Sequence, residues 1–140
     1  MPDCTAEKHR LRIIMDTNAL FVPLQFRITM PDELEQLLGR NIEMVLISHV
    51  KRELTMLATK RSPSTKKKAE YAMKFAEKCT YIEMEHPHSQ PTDDVIVNAA
   101  KEWKAAVFTN DRQLRKRLRD ISVPVIYVRQ KSRLELDGMI

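Results

Sequence analysis

The chain has 140 residues, 43% of them hydrophobic and 31% charged, with a formal net charge of +5. That length suits one domain, 1–140, with a core over about 11–130. No apolar run approaches the eighteen or so residues of a membrane span. The start, M-P-D-C-T-A-E-K-H-R, lacks the apolar stretch of a secretory signal, so a cytoplasmic protein is expected. Cys4 and Cys79 are too few for a zinc site or a disulfide framework. Gly39 and Gly138 are the only glycines, which excludes the G-x-G-x-x-G turn and the Walker A loop.

In chain order, apolar runs alternate with helical patterns. L-R-I-I-M (11–15) reads as a short buried strand, followed by polar D-T-N. P-D-E-L-E-Q-L-L-G (31–39) reads as a helix with Pro at its first turn and Gly at its end. E-M-V-L-I (43–47) is a second strand, and Ser48 is placed as the N-cap of a helix reaching about Ala58. S-P-S-T (62–65) caps the next helix, where Ala69, Ala72, Met73 and Ala76 fall at helical spacing. T-Y-I-E-M (80–84) is a third strand, and H-P-H-S-Q-P (86–91) is a loop. A helix begins near Thr92 with Ile96, Ala99, Ala100 and Trp103 inward, and A-A-V-F-T (105–109) is the fourth strand. A basic helix follows on the stripe Leu114, Leu118 and Ile121. V-P-V-I-Y-V (123–128) is the last strand, assigned to an edge because of its Pro. Short apolar strands alternating with helices predict an α/β fold, a three-layer α/β/α arrangement around a central parallel sheet of about five strands. In open sheets of this kind ligands bind beyond the carboxyl ends of the strands.

Acidic residues gather at that edge. Asp16 directly follows the first strand, and Asp111 follows the fourth by two residues. Asp93 and Asp94 open the helix before strand four and reach the same edge if the loop 85–92 folds back over it. Glu53 lies three after Val50 and four before Leu57, on their side of its helix, where a carboxylate needs compensation. Each acid also has an ordinary reading. Asp16 fits a turn, Asp93 a favourable position at a helix dipole, Asp111 a simple N-cap, and Glu53 a side chain bent to solvent. As a set they carry a different implication. Like charges about 4 Å apart repel by roughly 4 kcal/mol at an effective dielectric of 20, so their gathering calls for a counter-charge. Mg²⁺ or Mn²⁺ takes carboxylate oxygens, and such an ion can activate a water and stabilise charge on a phosphate.

Basic clusters supply the complement. Lys60, Arg61, Lys66, Lys67 and Lys68 form one, and Arg112, Arg115, Lys116, Arg117 and Arg119 another. Arg129, Lys131 and Arg133 form a third. Acids between basic walls suit cleavage of a phosphodiester in a polyanion.

Four motifs, I-I-M-D-T-N (13–18), V-K-R-E-L (50–54), D-D-V-I-V-N-A-A (93–100) and F-T-N-D-R-Q-L (108–114), resemble the PIN-domain nucleases in order along the chain. The tail L-R-K-R-L-R-D-I-S-V-P-V-I-Y-V (114–128) and the doubled acid are similar to the branch that holds the eukaryotic small-subunit processome endonuclease and its archaeal relatives. The resemblance implies a metal-dependent endoribonuclease directed at single-stranded RNA, with ribosomal RNA precursors as substrate. It implies Asp16, Asp93 and Asp111 as metal ligands and Glu53 as a fourth catalytic acid. Asp93 is favoured over Asp94 by the spacing D-x-x-I-x-x-x-A. Asn18, Thr109 and Asn110 support the ligands or touch substrate. Lys60, Arg61, Lys66, Lys67, Lys68, Arg112, Arg115 and Lys116 are the expected RNA contacts. Toxin-type members share the four acids, so a toxin of a toxin–antitoxin pair stays open. A non-catalytic RNA-binding scaffold in a ribosome-assembly complex and a phosphoacceptor domain are the other readings, and the partners expected besides RNA are ribosome-assembly proteins or a second copy in a homodimer. His86 and His88 read as surface loop, and Phe21 and Phe26 either stack bases or pack beneath the loop.

Overall fold

The computed structural model describes residues 10–60, 62–85, 87 and 89–140, so Arg61, His86 and His88 lie outside the described residues. Strands β1 (Leu11–Met15), β2 (Ile42–Ile47), β3 (Thr80–Ile82), β4 (Ala106–Phe108), β5 (Val125–Arg129) and β6 (Arg133–Asp137) form one sheet ordered β3-β2-β1-β4-β5-β6. The first five run parallel, and β6 is antiparallel to β5. Ile13, Ile14 and Met15 of β1 are all fully buried. Successive strand residues point to opposite faces, so a run without alternation means that both faces are covered.

The cover consists of helices α1 (Val22–Phe26), α2 (Asp32–Leu38), α3 (Ser48–Ala58), α4 (Pro63–Ala76), α5 (Thr92–Trp103) and α6 (Arg112–Asp120), with a 3₁₀ turn at Thr17–Phe21. Each of the four longest helices buries a stripe: Val50 and Leu54 on α3, Ala69, Ala72, Phe75 and Ala76 on α4, Val95, Ile96, Ala99 and Ala100 on α5, Leu114 and Leu118 on α6. The α/β architecture and its parallel core are as expected. Among the described residues no helix is long and apolar enough to cross a membrane.

Several expectations need correction. Ser48 is the first residue of α3, not its cap, and its Oγ accepts a hydrogen bond from the Met84 backbone N–H at 3.0 Å. β5 is interior to the sheet: Pro124 precedes it, and β6 covers its far side. Ile121 lies past the end of α6 and is 39% exposed. Trp103 is half-buried, with the Arg12 guanidinium 5.2 Å from its ring centroid. Of the two readings of Phe21 and Phe26, packing holds: both lie against the core.

Candidate active site

β1 and β4 are parallel neighbours, so both end at the same edge of the sheet. The D-T-N segment after β1 and the T-N-D segment after β4 therefore meet in space. The Asp16 N–H donates to the Phe108 carbonyl at 3.0 Å, extending the β1–β4 ladder by one step. Its side chain then caps the 3₁₀ turn, Oδ1 accepting from the Thr17 N–H at 2.8 Å. Oδ2 accepts from the Thr109 hydroxyl at 2.7 Å and from Asn18 Nδ2 at 3.1 Å. An ionised carboxylate offers roughly four acceptor directions, so three are used and one is left.

The two polar tripeptides are stitched together around that carboxylate. Asn18 Oδ1 accepts from the Asn110 N–H at 3.0 Å, and the Thr109 hydroxyl accepts from the Asp111 N–H at 3.1 Å. Asn110 Oδ1 accepts from the Val128 N–H at 2.9 Å, which ties β5 to the same knot. Asp111 is the N-cap of α6, with Oδ1 accepting from the N–H groups of Gln113 and Leu114 at 2.8 and 3.3 Å. The capping reading is thus correct, and Oδ2 takes no part in the cap.

Glu53 does not lie on the buried face of α3. It is exposed, and its Oε1 accepts from the Thr17 hydroxyl at 2.6 Å. Thr17, which sequence reasoning missed, bridges two acids: its N–H holds Asp16 and its hydroxyl holds Glu53. The loop before α5 is fastened by His49, a buried residue of α3 whose Nε2 lies 3.0 Å from the Pro87 carbonyl. α5 links β3 to β4, which run the same way, so its N-terminus falls at the same edge. Asp93 and Asp94 then part company. Asp94 forms an ion pair with Arg117 at 2.8 Å, whereas Asp93 feels the charges of Asp111 and Glu53.

Electrostatics record this gathering. Burial pushes the Asp16 carboxyl above the ordinary aspartate range. The bonds from Thr109 and Thr17 work against this, and the charges of Asp93 and Glu53 add to it. Asp93 is raised first by burial, then by Asp111 and Glu53, with Arg117 opposing. Asp16 feels Asp93 and Glu53, and Asp93 feels Asp111 and Glu53, so charges from four separate segments are linked through Asp93. Four carboxylates are hard oxygen donors, the chemistry that Mg²⁺ or Mn²⁺ prefers. The destabilisation of Asp16 and Asp93 is the imbalance that such an ion would relieve. Among the described residues no three His, Cys, Asp or Glu side chains are already arranged to hold an ion, so the fit lies in donor chemistry and charge.

The basic residues divide. Lys60, Lys66, Lys67, Lys68, Arg112 and Lys116 are exposed. Arg115 is engaged, its Nε donating to Asp137 at 2.9 Å and its guanidinium lying 3.8 Å from the Tyr127 ring centroid.

A family model described as "PIN like domain" matches residues 13–131. The chain is 32% identical over 130 residues to Ribonuclease VapC4 of Methanocaldococcus jannaschii, covering 92% of this chain and 98% of that one. It is 27% identical over 122 residues to Ribonuclease VapC9 of Archaeoglobus fulgidus, covering 86% and 85%. Among solved structures, the PIN domain endonuclease Utp24 superposes with a TM-score of 0.77 at 24% identity, over 92% of this chain and 95% of that one, a likeness of fold.

Proposed function

The chain belongs to the PIN-like domain family, and from that premise we propose that it is a divalent-metal-dependent endoribonuclease acting on single-stranded RNA. The observation that carries this reading is the linked charges of Asp16, Glu53, Asp93 and Asp111 at the carboxyl edge of β1 and β4. Asp16, Asp93 and Asp111 would hold Mg²⁺ or Mn²⁺, with Glu53 as the fourth acid. When bound, the ion supplies an acidified water and neutralises charge on the phosphate.

The chain's own residues do the positioning. Thr109, Asn18 and the Thr17 N–H fix the Asp16 carboxylate, so that it needs no reordering when an ion and a substrate arrive. Thr17 holds Glu53 at the rim. Arg117 pairs with Asp94, whereas Asp93 feels the charges of Asp111 and Glu53. The lysines at 60 and 66–68, with Arg112 and Lys116, supply cations for the RNA backbone.

The substrate assigned is a ribosomal RNA precursor, supported by the doubled acid at 93–94 and the segment 114–128 standing in family order. A toxin role would use the same chemistry and differ in its partner, a small antitoxin encoded beside it. The test is cleavage of a mixed RNA pool with and without Mn²⁺, alongside the Asp16→Asn variant. Cleavage is expected to require the ion and to vanish in the variant while RNA binding survives. Full activity in excess EDTA refutes the metal part. Crosslinking with mapping of bound positions then names the RNA.

A further inference from the structure

An arginine on a helix surface ordinarily keeps its rotamer freedom in water. Arg115 has given that freedom up. One face of its guanidinium lies against Tyr127 of β5, 3.8 Å from carbon to ring centroid, a separation that requires stacking on the face rather than an edge approach. Its Nε is bonded to Asp137 Oδ2 of β6 at 2.9 Å. Asp137 is held from its other oxygen by Arg119 Nε at 3.2 Å, and Arg119 Nη1 donates to the Val123 carbonyl at 3.3 Å. β5, β6 and α6 thus combine to clamp one planar group. A third of the Arg115 side chain, 32%, still meets solvent. With one face on the ring and the Nε edge on Asp137, the parts of the guanidinium left to meet solvent are its opposite face and its Nη edge.

The helix that carries the clamp starts at the acids. The Arg115 N–H donates to the Asp111 carbonyl at 2.9 Å, one helical turn from the capping carboxylate. Arg112 and Lys116 flank it, both exposed. Asp137 already compensates the charge of Arg115, so what this residue offers outward is a plane more than a cation. Unpaired RNA bases stack on arginine planes as they do on aromatic rings, and a group immobilised beforehand loses little entropy on binding.

The geometry points to Arg115, backed by Tyr127, as a stacking platform for one unpaired base of the RNA, beside the phosphate that faces the acid cluster. This rests on the ribonuclease reading and adds a binding subsite to it. Arg112 and Lys116 take the phosphates on either side of the stacked base. A base paired within a duplex is not free to turn onto such a plane, so the platform favours single strands.

The test uses a fluorescently labelled single-stranded RNA in EDTA, with an abasic sugar placed at each position in turn, and reads binding by anisotropy. For the unaltered chain, one position is expected to lose about tenfold in affinity when its base is removed. Arg115→Lys keeps the charge and removes the plane. It is expected to bind intact RNA as weakly as the unaltered chain binds the abasic RNA, with no further loss at that position. Tyr127→Leu, which leaves Arg115 in place without its backing ring, is expected to reduce the abasic penalty at the same position. Circular dichroism and melting temperature establish that both variants are folded. If the unaltered chain binds RNA but the abasic profile is flat, or is the same in Arg115→Lys, the platform is refuted and the ribonuclease reading stands. If the unaltered chain binds no RNA, the platform is refuted, and the ribonuclease reading stands or falls on the cleavage assay with Mn²⁺.

Discussion

Asp16 and Asp111 both cap a helical turn at the same edge of the sheet, yet one is sealed and the other open. Asp16 is 6% exposed and its two oxygens take bonds from three residues. Asp111 is exposed, and its cap uses only Oδ1. The difference comes from the strands. β1 runs through the middle of the sheet and delivers Asp16 onto a floor already roofed by Thr109 and Asn18. β4 ends three residues before Asp111, so the chain has left the core by then. The site therefore has a fixed floor and an adjustable rim, and the rim is where an incoming ion would draw side chains together.

The strongest challenge to the floor is Asp16→Asn. The floor would lose its charge and one of its two accepting oxygens. RNA cleavage in Mn²⁺ is expected to fall about a thousandfold or more, the scale of several kcal/mol of lost transition-state stabilisation. Without metal, relief of a buried carboxylate whose pKa is raised offsets part of the stability lost with the hydrogen bonds that Asn cannot accept, so the melting temperature should change far less than activity. A variant that cleaves at the original rate would show that Asp16 is only a turn residue.

Next in size is the contrast within the rim itself. Asp93→Asn is expected to lose about a hundredfold in cleavage, and Asp94→Asn no more than a few-fold, because Arg117 already occupies Asp94. Equal losses in single-turnover rates would mean that the ion pair with Arg117 does not separate the two acids.

Floor and rim also respond together to pH. Asp16 and Asp93 titrate above the ordinary aspartate value of 3.8 in the folded chain. Their contribution to metal-free stability is then fully present below that ordinary value and is lost as pH rises through the raised ones. An ion binds the deprotonated carboxylates, so its stabilising effect runs the other way and grows over the same window. The expected result is a melting-temperature increment from MnCl₂ that increases with pH above about 4 and shrinks in Asp16→Asn. An increment independent of pH would contradict binding at these acids.

How far the sequence disclosed this arrangement depended on the range of each interaction. β1 and Asp16 were legible because a three-residue apolar run stops abruptly at polar D-T-N, and Asp111 was legible for the same reason after β4. β6 was not. Its residues R-L-E-L-D alternate and are half-exposed, and the turn before it places Gln130 and Lys131 at positive φ, where Gly or Asn would have announced a hairpin. α1, V-P-L-Q-F, is five residues with an internal Pro and offers no period to read. Glu53 was assigned inward from helical spacing alone. α3 buries Val50 and Leu54 but leaves Leu57 half-covered, and Glu53 turns out to Thr17, 36 residues away. Partners such as Thr17–Glu53 and Arg117–Asp94 exist only once the sheet has brought their segments together.

The smallest effect separates the two duties of Asp111. As a cap it satisfies two N–H groups of α6, and as a site acid it contributes charge to Asp93. Asn caps a helix about as well as Asp, whereas Ala does not. Asp111→Asn should therefore leave urea-unfolding stability within a few tenths of a kcal/mol, and Asp111→Ala should lower it by about 1 kcal/mol. Cleavage should fall in both by a similar factor, since both remove the charge. If Asn restored activity along with stability, Asp111 would be acting on catalysis only by holding α6 in place, and the rim would consist of Glu53 and Asp93 alone.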